Sequence, residues 1–270
     1  LGLNFELADT RIRRAAADLG GQLPELPEQE MVQVTGSVDG LSPPEWQALL
    51  SGSGADGPPL TLPPVRAKLD RVRLVGAASD DVADSGPASP EQLPGLEVQI
   101  NALSYEDMAL GEVAFRCRSR PGAYLLEDLT VAGPHLQARG SGKWDFSRAP
   151  GRSELELQLS SDDLGKAMRD LRVASVIREG RGTAKLGVNW PGGPGAFALA
   201  NLNGWVRVDL KDGRIEDVEP GAGRLLGLLS LHALPRRLLL DFSDLFASGV
   251  GFEDIKGTIE LADGDAYTDN

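Results

Sequence analysis

The sequence predicts a mostly-β protein built from antiparallel strands, and three observations predict it. Apolar and polar residues alternate in segment after segment, which is the pattern of strands with one oily face and one wet face. Glycine and proline are frequent, at 33 and 18 of 270 residues, so turns interrupt the chain often. Only three short stretches carry helical spacing, too few to cover the apolar faces of about a dozen strands. Parallel strands buried on both faces would be oily throughout and separated by regular crossover helices, and the sequence shows neither.

The elements follow in chain order. LGLNFELADTRI opens the chain as the middle of a β region. SPPEWQALL (42–50) has Ser42 to cap a helix and Pro43 in its first turn. Val65, Ala67 and Leu69 share a face, and the phase then flips to Val72 and Leu74, which predicts a bulge near Arg71. Around that strand, residues 51–95 are expected to be loop-rich and mobile, with SGSGADGPP (51–59) and residues 76–95 small, polar and proline-bearing. Leu96, Val98 and Ile100 alternate, then Val113, Phe115 and Cys117 against Glu112, Arg116 and Arg118. Leu136, Ala138, Gly140, Gly142, Trp144 and Phe146 continue the pattern, and Leu155, Leu157 and Leu159 oppose Glu154 and Glu156. SDDLGKAMRDLRV (161–173) places Leu164, Ala167, Met168 and Leu171 on one helical stripe, with Ser161 or Asp162 as cap. Ala184 to Trp190, Val206 to Leu210, Leu238 to Phe242 and Ile255 to Leu261 close the series of strands. LKDGRI (210–215) and LADGDA (261–266) set Asp-Gly between alternating runs, which predicts two hairpin turns. The segments that carry them, 202–213 and 254–264, look like copies, so strand pairs repeat approximately rather than with a strict period.

Composition bounds the chemistry. The net charge is −13, whereas a nucleic-acid binder carries a basic face, so no nucleic-acid partner is expected. One cysteine, Cys117, excludes an internal disulfide, and with two distant histidines it excludes a Cys/His zinc site of any usual spacing. No metal or cofactor is expected. GSGKW (140–144) lacks the upstream glycine of a phosphate loop and has Trp144 where that loop needs a hydroxyl; a pair of strand glycines explains it better. VDLKDGRIED (208–217) puts Val208 and Leu210 where a calcium loop needs oxygen ligands. GLLSL (227–231) lacks the second glycine of a nucleophile elbow. Asp162 with Asp163 and Asp241 with Asp244 read as caps and turns rather than acid/base pairs. No catalytic residue emerges, and an enzyme is not expected.

One segment is oilier than its setting. Residues 219–235 predict an apolar helix bounded by Pro220 and Pro235, with Leu225, Leu226, Leu228, Leu229 and Leu231 on a broad face. Each leucine left in water forgoes ~1.5–3 kcal/mol, so full exposure of these five and Leu234 would cost on the order of a whole domain's stability. The helix must cover something oily or be covered by it. For the strands the same reasoning leaves two solutions open, a two-sheet sandwich or a single curved sheet around a trough.

The strings EPGAGRLLGLLSLHALPRRLLLDFSDLF (219–246) and GFEDIKGTIELADGDAYTDN (251–270) resemble the C-terminal region of the YhdP-type branch of AsmA-like proteins. LNGWVRVDLKDGRIEDVEPGAGR (202–224) and TGSVDGLSPPEWQALL (35–50) fit the same family. The resemblance implies that residues 1–270 are a fragment of one elongated AsmA-like domain, a curved, antiparallel, repeating β-groove sheet with a few short helices. It implies a periplasmic protein of the Gram-negative envelope, anchored in the inner membrane by a segment outside this fragment. It implies a conduit that carries glycerophospholipid between inner and outer membranes, with phospholipid, both membranes and envelope proteins as partners. The alternative is a β-sandwich scaffold for envelope assembly that holds no lipid. Two acyl chains hold about thirty methylenes at ~0.8 kcal/mol each, so water opposes their transfer by ~20 kcal/mol or more, and an apolar trough removes most of that barrier. The expected lipid-binding floor is Val113, Phe115, Cys117, Leu136, Ala138, Leu155, Leu157, Leu159, Val206, Val208, Leu210, Leu238, Leu240, Ile259 and Leu261. The leucine-rich helix is expected to cap the trough or contact a membrane.

Overall fold

The computed structural model describes residues 1–8, 11–41, 62–75, 93–172, 177–215 and 250–268. They form one curved, unclosed sheet of thirteen strands in which every strand lies beside its neighbour in sequence. The strands are β1 (Gly2–Ala8), β2 (Arg11–Asp18), β3 (Val32–Leu41), β4 (Val65–Leu74), β5 (Leu96–Tyr105), β6 (Met108–Arg120), β7 (Ala123–Ala132), β8 (Gln137–Asp145), β9 (Arg152–Ser161), β10 (Ile177–Pro191), β11 (Asn203–Ile215), β12 (Val250–Ala262) and β13 (Asp265–Thr268). Among the described residues no second sheet opposes this one, so the sandwich solution is not the one adopted.

The mostly-β sheet expected from the alternation is present, in the curved, open form that the family resemblance implies, and its pairing is antiparallel for β1–β2 and from β5 to β13. The pairs β2–β3, β3–β4 and β4–β5 are parallel, which the alternation does not reveal. Parallel neighbours need a connection long enough to return the chain to its starting rim, and residues 19–31, 42–64 and 75–95 supply three of them. These strands keep one wet face, as the alternating burial of β4 shows, so they are patterned like antiparallel ones. The phase flip in β4 is a bulge: Leu69 pairs with Gly36 and Arg71 with Ser37, leaving Asp70 extra and both Leu69 and Val72 buried.

The predicted Asp-Gly turns have different fates. Asp263 and Gly264 have φ of 50° and 82°, and they join β12 to β13 as a two-residue hairpin. Asp212 also has a positive φ, 53°, but Asp212 and Gly213 lie inside β11. Lys211 and Gly213 both pair with β10 on one side and β12 on the other, and ladders on two sides hold the chain extended where a hairpin would have to reverse it.

The helix read in 161–173 is α1 (Leu164–Asp170). Its cap is Asp163, whose carboxylate accepts from the Lys166 amide, while Ser161 Oγ accepts from the Asp163 amide one step earlier. Cap and turn thus explain the Asp162–Asp163 pair. Leu164 and Met168 pack on a cluster of Ile177, Leu210, Ile215 and Ile255. The helices read at 42–50 and 219–235, most of the loops at 51–95 and the Asp241–Asp244 pair lie outside the described residues.

Candidate functional site: an apolar face across nine strands

The registers line up the apolar positions of successive strands into rows that run across the sheet. One row passes through Leu69, Ile100, Val113, Val131, Ala138, Leu159, Ala184, Val208 and Gly257, from β4 to β12. Beside it run Leu129, Gly140, Leu157, Leu186, Val206 and Ile259, and then Leu96, Cys117, Leu126, Gly142, Leu155, Val188, Gly204 and Leu261. Phe115 pairs with Val98, and Leu210 with Gly182 and Ile255, on the same face. Strand side chains alternate with a period of two, so one common register commits all these groups to one side.

Thirteen of the expected floor residues fall on described positions, and the strands bring twelve of them together: Val113, Phe115, Cys117, Ala138, Leu155, Leu157, Leu159, Val206, Val208, Leu210, Ile259 and Leu261. Leu136 precedes β8, and its carbonyl accepts from the Gly133 amide in the connecting turn. Leu238 and Leu240 lie outside the described residues, as do Leu225, Leu226, Leu228, Leu229 and Leu231 of the expected capping helix. Glu112, Arg116, Arg118, Glu154 and Glu156 are exposed on the opposite face.

The floor is not uniform. Under β4 to β6 it is sealed: Leu69, Val98, Val113 and Cys117 are all 8 % exposed or less and form one cluster. From β9 to β12, Leu155, Leu157, Leu159, Leu186, Val206, Val208, Ile259 and Leu261 are only half-buried. At the β1 end Leu3, Phe5 and Leu7 are more than half exposed. Glycines deepen the open part. A Cβ at Gly140 would overlap the Glu156 carbonyl and the Leu157 side chain, so the bare Cα lets Leu157 lie over β8. This is the role of the glycine pair in GSGKW.

The two rims differ. At one, α1 crosses the strand ends and is tied down by a hydrogen bond and an ion pair: His135 Nδ1 lies 2.7 Å from Asp170, and Arg172 lies 3.3 Å from Asp107 in the β5–β6 turn. The other rim is aromatic. Tyr124 donates to the Pro94 carbonyl at 2.7 Å, Trp190 Nε1 donates to the Gly193 carbonyl at 3.0 Å, and Trp144 and Trp190 stack edge-on with Phe146 and Phe197. Burial pushes the Cys117 thiol up to about 12 and raises Tyr124 beside it, so neither is poised to ionise at neutral pH. Among the described residues no group of three or more His, Cys, Asp or Glu is placed to hold a metal ion. No helix there is long and apolar enough to cross a membrane.

Leu186, Val188, Leu126 and Leu129 belong to the floor but were not among the expected residues. Leu186 and Val188 alternate in sequence like the rest. Leu126 and Leu129 do not, because Asp128 takes φ 51° and the register slips on both sides of it.

A model of the family described as "YhdP protein" matches residues 55–270. The protein named intermembrane phospholipid transporter YhdP, from Escherichia coli (strain K12), is 28% identical over 200 residues, covering 69% of this chain and 16% of the relative. The chain therefore spans about a sixth of that relative's length. No solved structure matches the chain.

Proposed function

The chain belongs to the YhdP family, and from that premise we propose that it is a segment of a phospholipid conduit whose acyl chains lie on the apolar face. The observation that carries this is the unbroken apolar row from β4 to β12, left half-open over β9 to β12. A core sealed for stability alone gains by closing such a strip; a face that passes a guest along must leave it open. The rows run across the strands, so a guest can slide from strand to strand without leaving apolar contact. Nothing in this function needs a nucleophile, an acid/base pair or a metal, and we read the chain as a carrier rather than an enzyme.

In this reading residues 1–270 are part of one elongated domain, the guest is glycerophospholipid moving between inner and outer membranes, and the segment works in the periplasm on an inner-membrane anchor supplied by other parts of the protein. The relative's name, an intermembrane phospholipid transporter, supports the guest and the setting. Mass spectrometry of lipid extracted from the purified chain tests it. Glycerophospholipid bound in stoichiometric amount is expected, and a chain that purifies free of lipid and takes none up from vesicles overturns the proposal.

A further inference from the structure

The outer face of the sheet is laced by ion pairs between strands, among them Arg66–Glu97 at 2.8 Å, Arg71–Asp39 at 3.0 Å, Arg118–Glu127 at 3.2 Å and Arg181–Asp212 at 2.8 Å. One patch departs from this. Arg139 on β8, Lys185 on β10 and Arg207 on β11 stand in a single cross-strand row, with Gln158 of β9 between the first two. Among the described residues none of these three cations is ion-paired. Lys185 lies directly opposite Arg207, and like charges in that position destabilise a sheet, so the fold itself gives no reason for the pair. Arg207 is held by stacking over Trp205, with Cζ 4.5 Å from the ring centroid. Trp205 in turn lies against the bare Cα of Gly187, where a Cβ would come within 2.8 Å of the indole nitrogen.

Between Arg139 and Lys185 the surface dips into a pocket of about 320 Å³, whose walls also carry Ser141, Glu156 and Trp205. Among the described residues Glu156 has no ion-pair partner either, although Lys185 shares the pocket with it. Charges of both signs are thus held apart across one cavity. A bare phosphate would satisfy the cations and leave Glu156 facing an anion; a bare amine would satisfy Glu156 and face the two cations of the lining, Arg139 and Lys185. A ligand carrying both groups satisfies the whole set. It also adds little net charge, which suits a protein of −13 that repels polyanions at long range.

We infer that this outer-face pocket binds a zwitterionic amino-phosphate, the phosphate on Arg139 and Lys185 and the ammonium on Glu156. The source is either a soluble amino-phosphate or the ethanolamine-type head group of a membrane lipid. The pocket lies on the opposite face from the apolar floor, so the conduit reading stands whether or not this one does.

Calorimetry on the full chain with phosphoethanolamine, inorganic phosphate and ethanolamine tests it. Phosphoethanolamine is expected to bind about tenfold or more tighter than either fragment, the scale of one additional charge-assisted contact. Glu156→Gln is expected to remove that advantage without weakening inorganic phosphate. Lys185→Gln and, independently, Arg139→Gln are expected to weaken both phosphates by about tenfold. All three substitutions are on exposed positions, and an unchanged circular-dichroism spectrum establishes that each variant is folded. Equal affinity for phosphate and phosphoethanolamine, no binding at all, or binding indifferent to Lys185→Gln and Arg139→Gln overturns the inference. Retention on ethanolamine-phospholipid vesicles that free phosphoethanolamine competes away, and that Lys185→Gln abolishes, assigns the membrane head group; binding of the soluble compound without such retention assigns a soluble ligand.

Discussion

Leu157→Glu separates a floor that carries lipid from one that merely packs. Leu157 sits in mid-floor, with Gly140 beside it on β8 and Leu186 on β10, and it is half-buried. It belongs to neither buried cluster. Full burial of a leucine contributes ~1.5–3 kcal/mol, so a half-buried one contributes about 1 kcal/mol, and its loss should lower stability by no more than that. With the trough empty, the new carboxylate can reach water over the bare Cα of Gly140. With acyl chains in place it is desolvated without a partner, at about 4 kcal/mol or more, which corresponds to roughly a thousandfold in occupancy. Urea unfolding reports the first quantity, and mass spectrometry of co-purified lipid reports the second. Lipid should be lost at pH 7 with the unfolding midpoint little changed. It should return towards about pH 4, where an ordinary glutamate takes up a proton and the penalty for charge disappears. Full lipid occupancy of a folded Leu157→Glu at neutral pH would refute the reasoning.

Two further predictions concern the fold beneath the site. Gly140→Val forces a Cβ onto the Glu156 carbonyl and displaces Leu157; strain at two adjacent strands should cost about 1–3 kcal/mol, read from the urea midpoint. The second concerns pH. The folded Cys117 thiol titrates at about 12 instead of 9.0, chiefly because it is buried, so its contribution is complete below pH 9 and is lost as the pH rises towards 12. The whole shift corresponds to roughly 4 kcal/mol, and Cys117→Ala should therefore show a shallower alkaline loss of stability than wild type between pH 9 and 11. The part due to Tyr124, whose raised titration has the same sign, should remain.

Much of this was legible in the sequence because a period of two survives any choice of neighbour. Val113, Phe115 and Cys117 point the same way whether β6 pairs with a parallel or an antiparallel strand, so the floor could be read before the topology. The topology itself could not: nothing in Val65–Leu74 distinguishes a parallel partner, since its wet face alternates just as an antiparallel strand would. Asp212-Gly213 and Asp263-Gly264 carry the same local preference for positive φ, and only the presence of paired strands on both sides of the first decides that it stays extended. Asp163 rather than Ser161 or Asp162 caps α1, a difference of one residue that depends on where the chain leaves β9. The outer-face pocket had no sequence signal, because Arg139, Glu156 and Lys185 become neighbours only through the registers of three strands.

Site-specific photocrosslinking with bound lipid tests most directly whether the apolar face carries the guest. A photoreactive side chain at Phe115 or Val208, on the floor, should form lipid adducts, while the same group at Arg116 or Glu112, on the outer face away from the pocket, should form none. Adducts at Arg116 and Glu112 with none at Phe115 and Val208 would contradict it.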